Sequence, residues 1–215
     1  MGCKILKTQP QKNEVISEDF EPVKKRFLDR IEKCGVGYKA LNSGPRELQK
    51  PRFELHHSII SCNDSLLDIG CGIGEFRYYL LDKGHKGNYY GIDIVEPFVQ
   101  HCQNHLPGHF EIRNFAINPP NIIIDCLVAS QVFNYNYENS SNLRVITDLL
   151  DWSQNHVRKA LSIDFLTCRC DFSVDHLFHY SPDYMLDLAE KYGQATLIED
   201  YAAPWEFCIQ IRKIK

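Results

Sequence analysis

A chain of 215 residues, 44% of them hydrophobic, is long enough for one domain with a buried core, and no run approaches the roughly twenty apolar residues of a membrane span. Its 24 basic and 28 acidic residues leave a net charge of -4, which provides no positive field for a nucleic-acid backbone. Nine cysteines without the spacing of a disulfide framework point to a reducing, cytoplasmic setting.

Residues 1–18 are polar and aperiodic and read as a loosely ordered tail. The opening MGCKILKTQP lacks the apolar centre of a signal peptide, and Leu6 stands where acylation at Gly2 prefers Ser or Thr. Phe20, Val23, Phe27, Leu28 and Ile31 then recur at helical intervals, with Lys24, Lys25, Arg26, Asp29 and Arg30 on the solvated face. Gly35 and Gly37 end that helix, and Asn42-Ser43-Gly44-Pro45 breaks the chain again. A short helix is expected over 46–58, with His56 and His57 on its surface. Residues 19–60 thus read as a helical lid segment and 61–215 as the main domain.

From there strand alternates with helix. Strands are expected at 65–69, 88–94, 109–112, 122–129 and 160–165, and helices at 75–83, 97–105 and 140–157. Ser181-Pro182-Asp183 opens a helix that runs to Tyr192: Ser caps the free amides, Pro fits the first turn and Asp suits the positive dipole end. Segments 194–201 and 205–211 close the chain as a hairpin. This order predicts an α/β fold, a doubly wound, mostly parallel seven-stranded sheet with helices on both faces and a C-terminal antiparallel hairpin.

At the end of the first such strand, Leu66-Leu67-Asp68-Ile69-Gly70-Cys71-Gly72-Ile73-Gly74 places three glycines at alternate positions. Glycine lets the backbone bend sharply and lets a ligand lie against it, and ligands of open parallel sheets gather at this edge. A dinucleotide fingerprint needs a further glycine where Glu75 stands, and a glutamate there would oppose a pyrophosphate. A nicotinamide oxidoreductase is disfavoured accordingly.

Gly70-Cys71-Gly72-Ile73-Gly74, led by Leu67 and Asp68, instead resembles the first motif of the class I methyltransferases that use S-adenosylmethionine. Tyr90-Gly91-Ile92-Asp93, His109 to Phe115 (HFEIRNF) and Asp125 to Asn134 (DCLVASQVFN) continue the match in order, so it covers about 65–135 and, by topology, the terminal hairpin. The resemblance implies S-adenosyl-L-methionine as cofactor, held by Asp68, Gly70, Cys71, Gly72, Gly74, Asp93, Ile94, Asn114, Phe115 and Ser130. Asp93 would accept both ribose hydroxyls and Ile94 would border the adenine. Asn114 stands where the family often carries an acid facing the adenine amine, and Phe115 would cover the ring. Asp68 either supports the turn or touches the ligand, and Cys71 packs as a small hydrophobe. Asp125, at a strand's start, reads as structural.

Methyl transfer from a sulfonium is an in-line displacement with a leaving group already activated, so the protein must align a nucleophile, exclude water and take a proton where the acceptor carries one. The acceptor site should come from loops 131–137 and 166–180 and from the lid around Tyr38, with Tyr38, Arg52, Phe133, Asn134 and Tyr180 as candidate contacts. Arg52 could fix an acidic substrate or the cofactor carboxylate; a helix-surface salt bridge is the other reading. His176, His179 and Tyr135 are the candidate proton-handling groups.

No metal is expected. His101 and His105 share a helix face but have no third ligand, and Cys168-Arg169-Cys170, without a second cysteine pair, reads as two local thiols. Gln49, Arg52 and Phe53, with Tyr180-Ser181-Pro182, Asp200-Tyr201 and Glu206-Phe207, resemble a sparsely characterised small-molecule branch. The expected activity is methyl transfer to oxygen or nitrogen of a small-molecule acceptor, with no nucleic-acid or membrane partner. A non-catalytic protein that binds S-adenosylmethionine or S-adenosylhomocysteine is the alternative.

Overall fold

The computed structural model describes residues 15, 17–41 and 43–214; most of the expected tail, Gly2 and Cys3 included, lies outside the described residues. Seven strands form one sheet: β1 (Leu66–Ile69), β2 (Tyr89–Asp93), β3 (His109–Ile112), β4 (Ile124–Ala129), β5 (Val157–Leu166), β6 (Gln194–Glu199) and β7 (Glu206–Arg212). Their order is β3-β2-β1-β4-β5-β7-β6, and β7 runs antiparallel to both its neighbours while the first five strands are mutually parallel. β1 and β4 are apolar almost throughout because both faces of the sheet are covered.

Neighbouring residues of β1 feed opposite cores. Leu67 packs with Leu127, Ala129, Val145, Ile146 and Leu149, under α6 (Asn142–His156) and α7 (Pro182–Ala189). Leu66 packs with Phe76, Leu80, Val99 and Cys102, under α4 (Glu75–Asp82) and α5 (Glu96–His105). Ser141 and Ser181 cap α6 and α7 by accepting the amides of Arg144 and Tyr184.

The start of one strand differs clearly from the sequence reading. β5 begins at Val157, directly after α6, and not near residue 160. Exposed Arg158 and Lys159 break the apolar run that would have marked its start; Lys159 is ion-paired with Asp64 and, at 3.4 Å, with Asp125.

The N-terminal segment comprises a 3-10 turn (Ser17–Phe20), α1 (Glu21–Cys34), α2 (Tyr38–Leu41) and α3 (Gln49–His57). α1 lies over the edge of the sheet where strand order reverses, between β1 and β4. Its Phe27 meets Phe98 and Tyr135 edge-on, at 5.9 and 5.8 Å between centroids, and Phe20 meets Tyr137 at 4.9 Å.

On α3 the inward positions are Arg52 and His56, one turn apart. His56 is not on the surface but fully buried. Two polar groups of β5 account for this: Ser162 Oγ lies 2.8 Å from its Nδ1 and Asp164 Oδ2 lies 3.0 Å from its Nε2. Cys168 is disulfide-bonded, which corrects the reading of two local thiols; Cys170 is free.

Candidate active site

The three glycines of the turn all hold left-handed backbone, with φ of 72°, 54° and 77° at Gly70, Gly72 and Gly74. Each is required by close packing as well as by its torsion. A Cβ on Gly70 would stand 2.5 Å from Val132 Cγ2, one on Gly72 2.8 Å from Leu41 Cδ2, and one on Gly74 2.3 Å from Leu106 Cδ1. The bend is fastened to β2: the amides of Gly70 and Cys71 donate to the Ile92 carbonyl at 2.8 and 3.1 Å.

Asp93 completes the fastening. Its Oδ2 accepts the Gly72 amide and its Oδ1 the Val95 amide, both at 2.9 Å. These bonds do not exhaust the roughly four lone-pair sites of a carboxylate that borders a cavity. Burial pushes the pKa of Asp93 up against the pull of the Val95, Gly72 and Ile94 amides. Asp68, deeper, is raised to about 7 by burial and by the charge of Asp93, while the Tyr89 hydroxyl donates to it and pulls the other way.

The cavity is walled on one side by Asp68, Gly70, Cys71, Gly72, Asp93 and Ile94, and on the next by Arg113, Asn114, Phe115 and Ala116. The loop after β4 contributes Ser130 to Phe133, Tyr135 and Tyr137, and the N-terminal segment contributes Phe20, Val23, Phe27 and Leu41. Nine of the ten residues assigned to the cofactor thus meet in one space. Gly74 stands outside it and opens α4.

Individual roles are narrower than the sequence implied. Asn114 Oδ1 already accepts the Ala116 amide at 3.0 Å, so one lone pair remains for a ligand donor. Cys71 is buried among apolar side chains, and Asp125 accepts the amide and hydroxyl of Ser65.

Among the substrate candidates, Arg52 and Phe133 border the cavity. Arg52 is 3% exposed and paired through two nitrogens with Glu206, so it makes neither a surface salt bridge nor an uncompensated cation for an acidic substrate. Tyr38 opens onto a separate, shallow basic hollow with Arg30, Lys33 and Lys39. Asn134 is buried, with Oδ1 accepting the Leu166 amide and Nδ2 donating to Gln131. Tyr180 is buried as well and donates to the Phe133 carbonyl at 2.7 Å, shaping the loop from behind.

Of the proton-handling candidates, Tyr135 alone borders the cavity. His176 packs behind it, 6.3 Å between ring centroids, and burial and the charge of Arg26 lower its pKa. His179 is turned to Thr167 and Cys170, its Nδ1 3.1 Å from the Thr167 carbonyl, and its Nε2 is buried without a partner. Among the described residues no group of His, Cys, Asp or Glu is arranged to hold a metal ion, and no helix is long and apolar enough to cross a membrane.

Sequence reasoning assigns no site role to Gln49 or Glu75 and treats Gln131 only as the first residue of the loop 131–137. Gln49 of α3 donates to Glu75 at the start of α4, joining the N-terminal segment to the turn across the cavity wall. The sequence signal for this contact is Glu75 itself, which stands where a dinucleotide fingerprint needs a glycine. Gln131 gave no signal: its importance lies in a left-handed backbone, φ 58°.

The methyltransferase-domain family model matches residues 67–152, from β1 into α6. A Mycobacterium tuberculosis protein named as a methyltransferase, Rv1506c, is 28% identical over 158 residues, covering 69% of this chain and 93% of its own. In fold, the chain is similar to the Synechocystis magnesium protoporphyrin IX methyltransferase crystallised with S-adenosylhomocysteine: TM-score 0.63, 12% identity, 91% of this chain and 100% of that one covered. It is also similar to the Burkholderia thailandensis 1,6-didemethyltoxoflavin-N1-methyltransferase, crystallised with its acceptor and S-adenosylhomocysteine: TM-score 0.67, 13% identity, 94% and 92% covered.

Proposed function

We propose that this chain, which belongs to the class I S-adenosylmethionine-dependent methyltransferases, moves a methyl group to an oxygen or nitrogen of a small-molecule acceptor. The observation that carries this reading is the continuity of the cavity, which runs from the glycine turn and Asp93 to a ring-lined half under the lid.

The donor set fits the cofactor. A ribose diol needs acceptors, and Asp93 keeps lone pairs facing the cavity; a purine needs flat apolar neighbours, and Ile94 and Phe115 supply them. The bound cofactor supplies a methyl on a positively charged sulfonium leaving group. Asp93 and Glu75 put carboxylates on the same wall, which suits a cation.

The chain's own work is alignment and exclusion of water. Phe20, Val23 and Phe27 of the lid face Phe133, Tyr135 and Tyr137 of the β4 loop, so an apolar, ring-bearing acceptor would be held between them. The two fold neighbours named above act on ring compounds by name, which supports this choice. Tyr135 is the group we assign to guiding the acceptor's proton, with His176 behind its ring.

The test is incubation with methyl-labelled cofactor and a metabolite extract, followed by mass spectrometry of whatever gains the label. A labelled small molecule is expected. Tight cofactor binding with no labelled product at any concentration would instead mark a carrier or sensor.

A further inference from the structure

Behind the cavity, Asp164 of β5 is completely buried, yet none of the roles assigned above uses it. Its two oxygens take four contacts. Oδ2 accepts Ser130 Oγ at 2.9 Å and faces His56 Nε2 at 3.0 Å; Oδ1 accepts the Gln131 amide at 2.5 Å and Gln131 Nε2 at 3.1 Å. A buried carboxylate satisfied this fully cannot rotate without losing several bonds at once.

The segment it holds is the strained one. Gln131 carries φ 58°, a conformation that its Cβ disfavours and that persists only where the surroundings enforce it. The next residue, Val132, fills the space that Gly70 leaves by lacking a Cβ. Ser130, Gln131 and Val132 therefore stand clamped between Asp164 behind and the glycine turn in front, and all three border the cavity. His56 is fixed in turn by Ser162, which also receives Gln210 Nε2 at 3.4 Å.

We propose that Asp164 is a positioning residue: with His56 it locks the Ser130–Gln131 turn in the left-handed shape that forms the wall between cofactor and acceptor. This rests on the cofactor reading given above. Asp164 touches neither ligand; its effect passes through the turn.

S-adenosylhomocysteine serves as the probe, in calorimetric titrations of the full chain well below its melting temperature, with circular dichroism reporting the fold. Asp164→Asn places an amide donor against donors and is expected to weaken binding about tenfold or more, the scale of losing a hydrogen bond to a charged group. Gln131→Ala and Gln131→Gly both lose the side-chain bond, but glycine adopts the left-handed torsion freely. Gln131→Gly should therefore bind about fivefold more tightly than Gln131→Ala, and should recover part of the loss when combined with Asp164→Asn.

A merely structural role would lower the melting temperature of every variant without separating Gly from Ala in affinity. Equal affinities for that pair, or wild-type affinity in Asp164→Asn, would overturn the proposal. If Asp164→Asn does not fold, the Gly and Ala pair decides alone. A wild-type chain that binds no S-adenosylhomocysteine at millimolar concentration would refute the cofactor reading itself, whereas a binding wild type with unchanged variants would refute only the role of Asp164.

Discussion

Asp68 is buried at the end of β1 with its carboxyl raised from 3.8 to about 7, first by burial and then by neighbouring Asp93. The folded chain therefore holds that proton over a range in which the unfolded chain has released it. The sign follows: this group's contribution to stability is fully present below about pH 4 and is lost as pH rises from about 4 to about 7. Urea unfolding of the wild type and Asp68→Asn at pH 5 and pH 8 checks this. Relative to the variant, the wild type should be more stable at pH 5 than at pH 8; a constant gap would contradict the shift. The glycines give a second contrast. Gly70→Ala drives a Cβ to 2.5 and 2.9 Å from two atoms of branched Val132, whereas at Gly72 the obstacle is the tip of Leu41. Both carry positive φ, so both substitutions destabilise, by about 1 to 3 kcal/mol from torsion alone. Gly70→Ala should cost more in urea unfolding, because Val132 cannot swing aside as Leu41 can. These glycines and Asp93 were legible in the sequence because residue type and spacing encode the ligand geometry. The buried pairings of Arg52, His56 and Asp164 were not, since a polar side chain reads as surface until its partner, distant in the chain, is known.

One carboxylate fastens the start of the N-terminal segment to the loop after β4. Asp19, 5% exposed in the 3-10 turn before α1, accepts the Asn139 amide at 2.8 Å, Asn139 Nδ2 at 3.1 Å and the Ser140 amide at 2.5 Å. Burial alone would raise its pKa, but the bonds from Ser140 and Asn139 outweigh it and leave it lowered. Asp19→Asn replaces an acceptor by a donor facing those amides, so α1 should loosen from the β4 loop. Trypsin cleavage at Lys24, Lys25 and Arg26 should then rise by about tenfold, in keeping with an opening of about 1.4 kcal/mol. An unchanged cleavage rate, followed by mass spectrometry of the fragments, would mean that the aromatic contacts of Phe20 and Phe27 suffice to hold the helix. The period of α1 was readable from its apolar residues, but the turn that latches it straddles the boundary between the polar tail and that helix, and nothing local marks Asp19 as bonded to residues 139 and 140. The start of β5 escaped for a related reason. Arg158 and Lys159 are exposed in the strand, and a helix that passes into a strand without a loop leaves no turn signal.

For the molecule as a whole, the reversal of strand order between β1 and β4 matters most. It opens the sheet edge where the glycine turn, the β4 loop and the N-terminal segment converge, and it draws residues from Phe20 to Tyr137 into a single cavity. The alternation of strand and helix made this architecture legible, down to the one antiparallel strand contributed by the closing hairpin. The acceptor half was less so: loop 166–180 supports the wall from behind through Tyr180 and does not line it, because its hydroxyl is drawn to a buried carbonyl. A crystal structure of the chain grown with S-adenosylhomocysteine tests the central claim most directly. The ribose hydroxyls should lie on Asp93, the base between Ile94 and Phe115, and the sulfur should point toward Tyr135. A nucleoside bound away from Asp93, or a glycine turn sealed off by Val132 and Leu41, would contradict it.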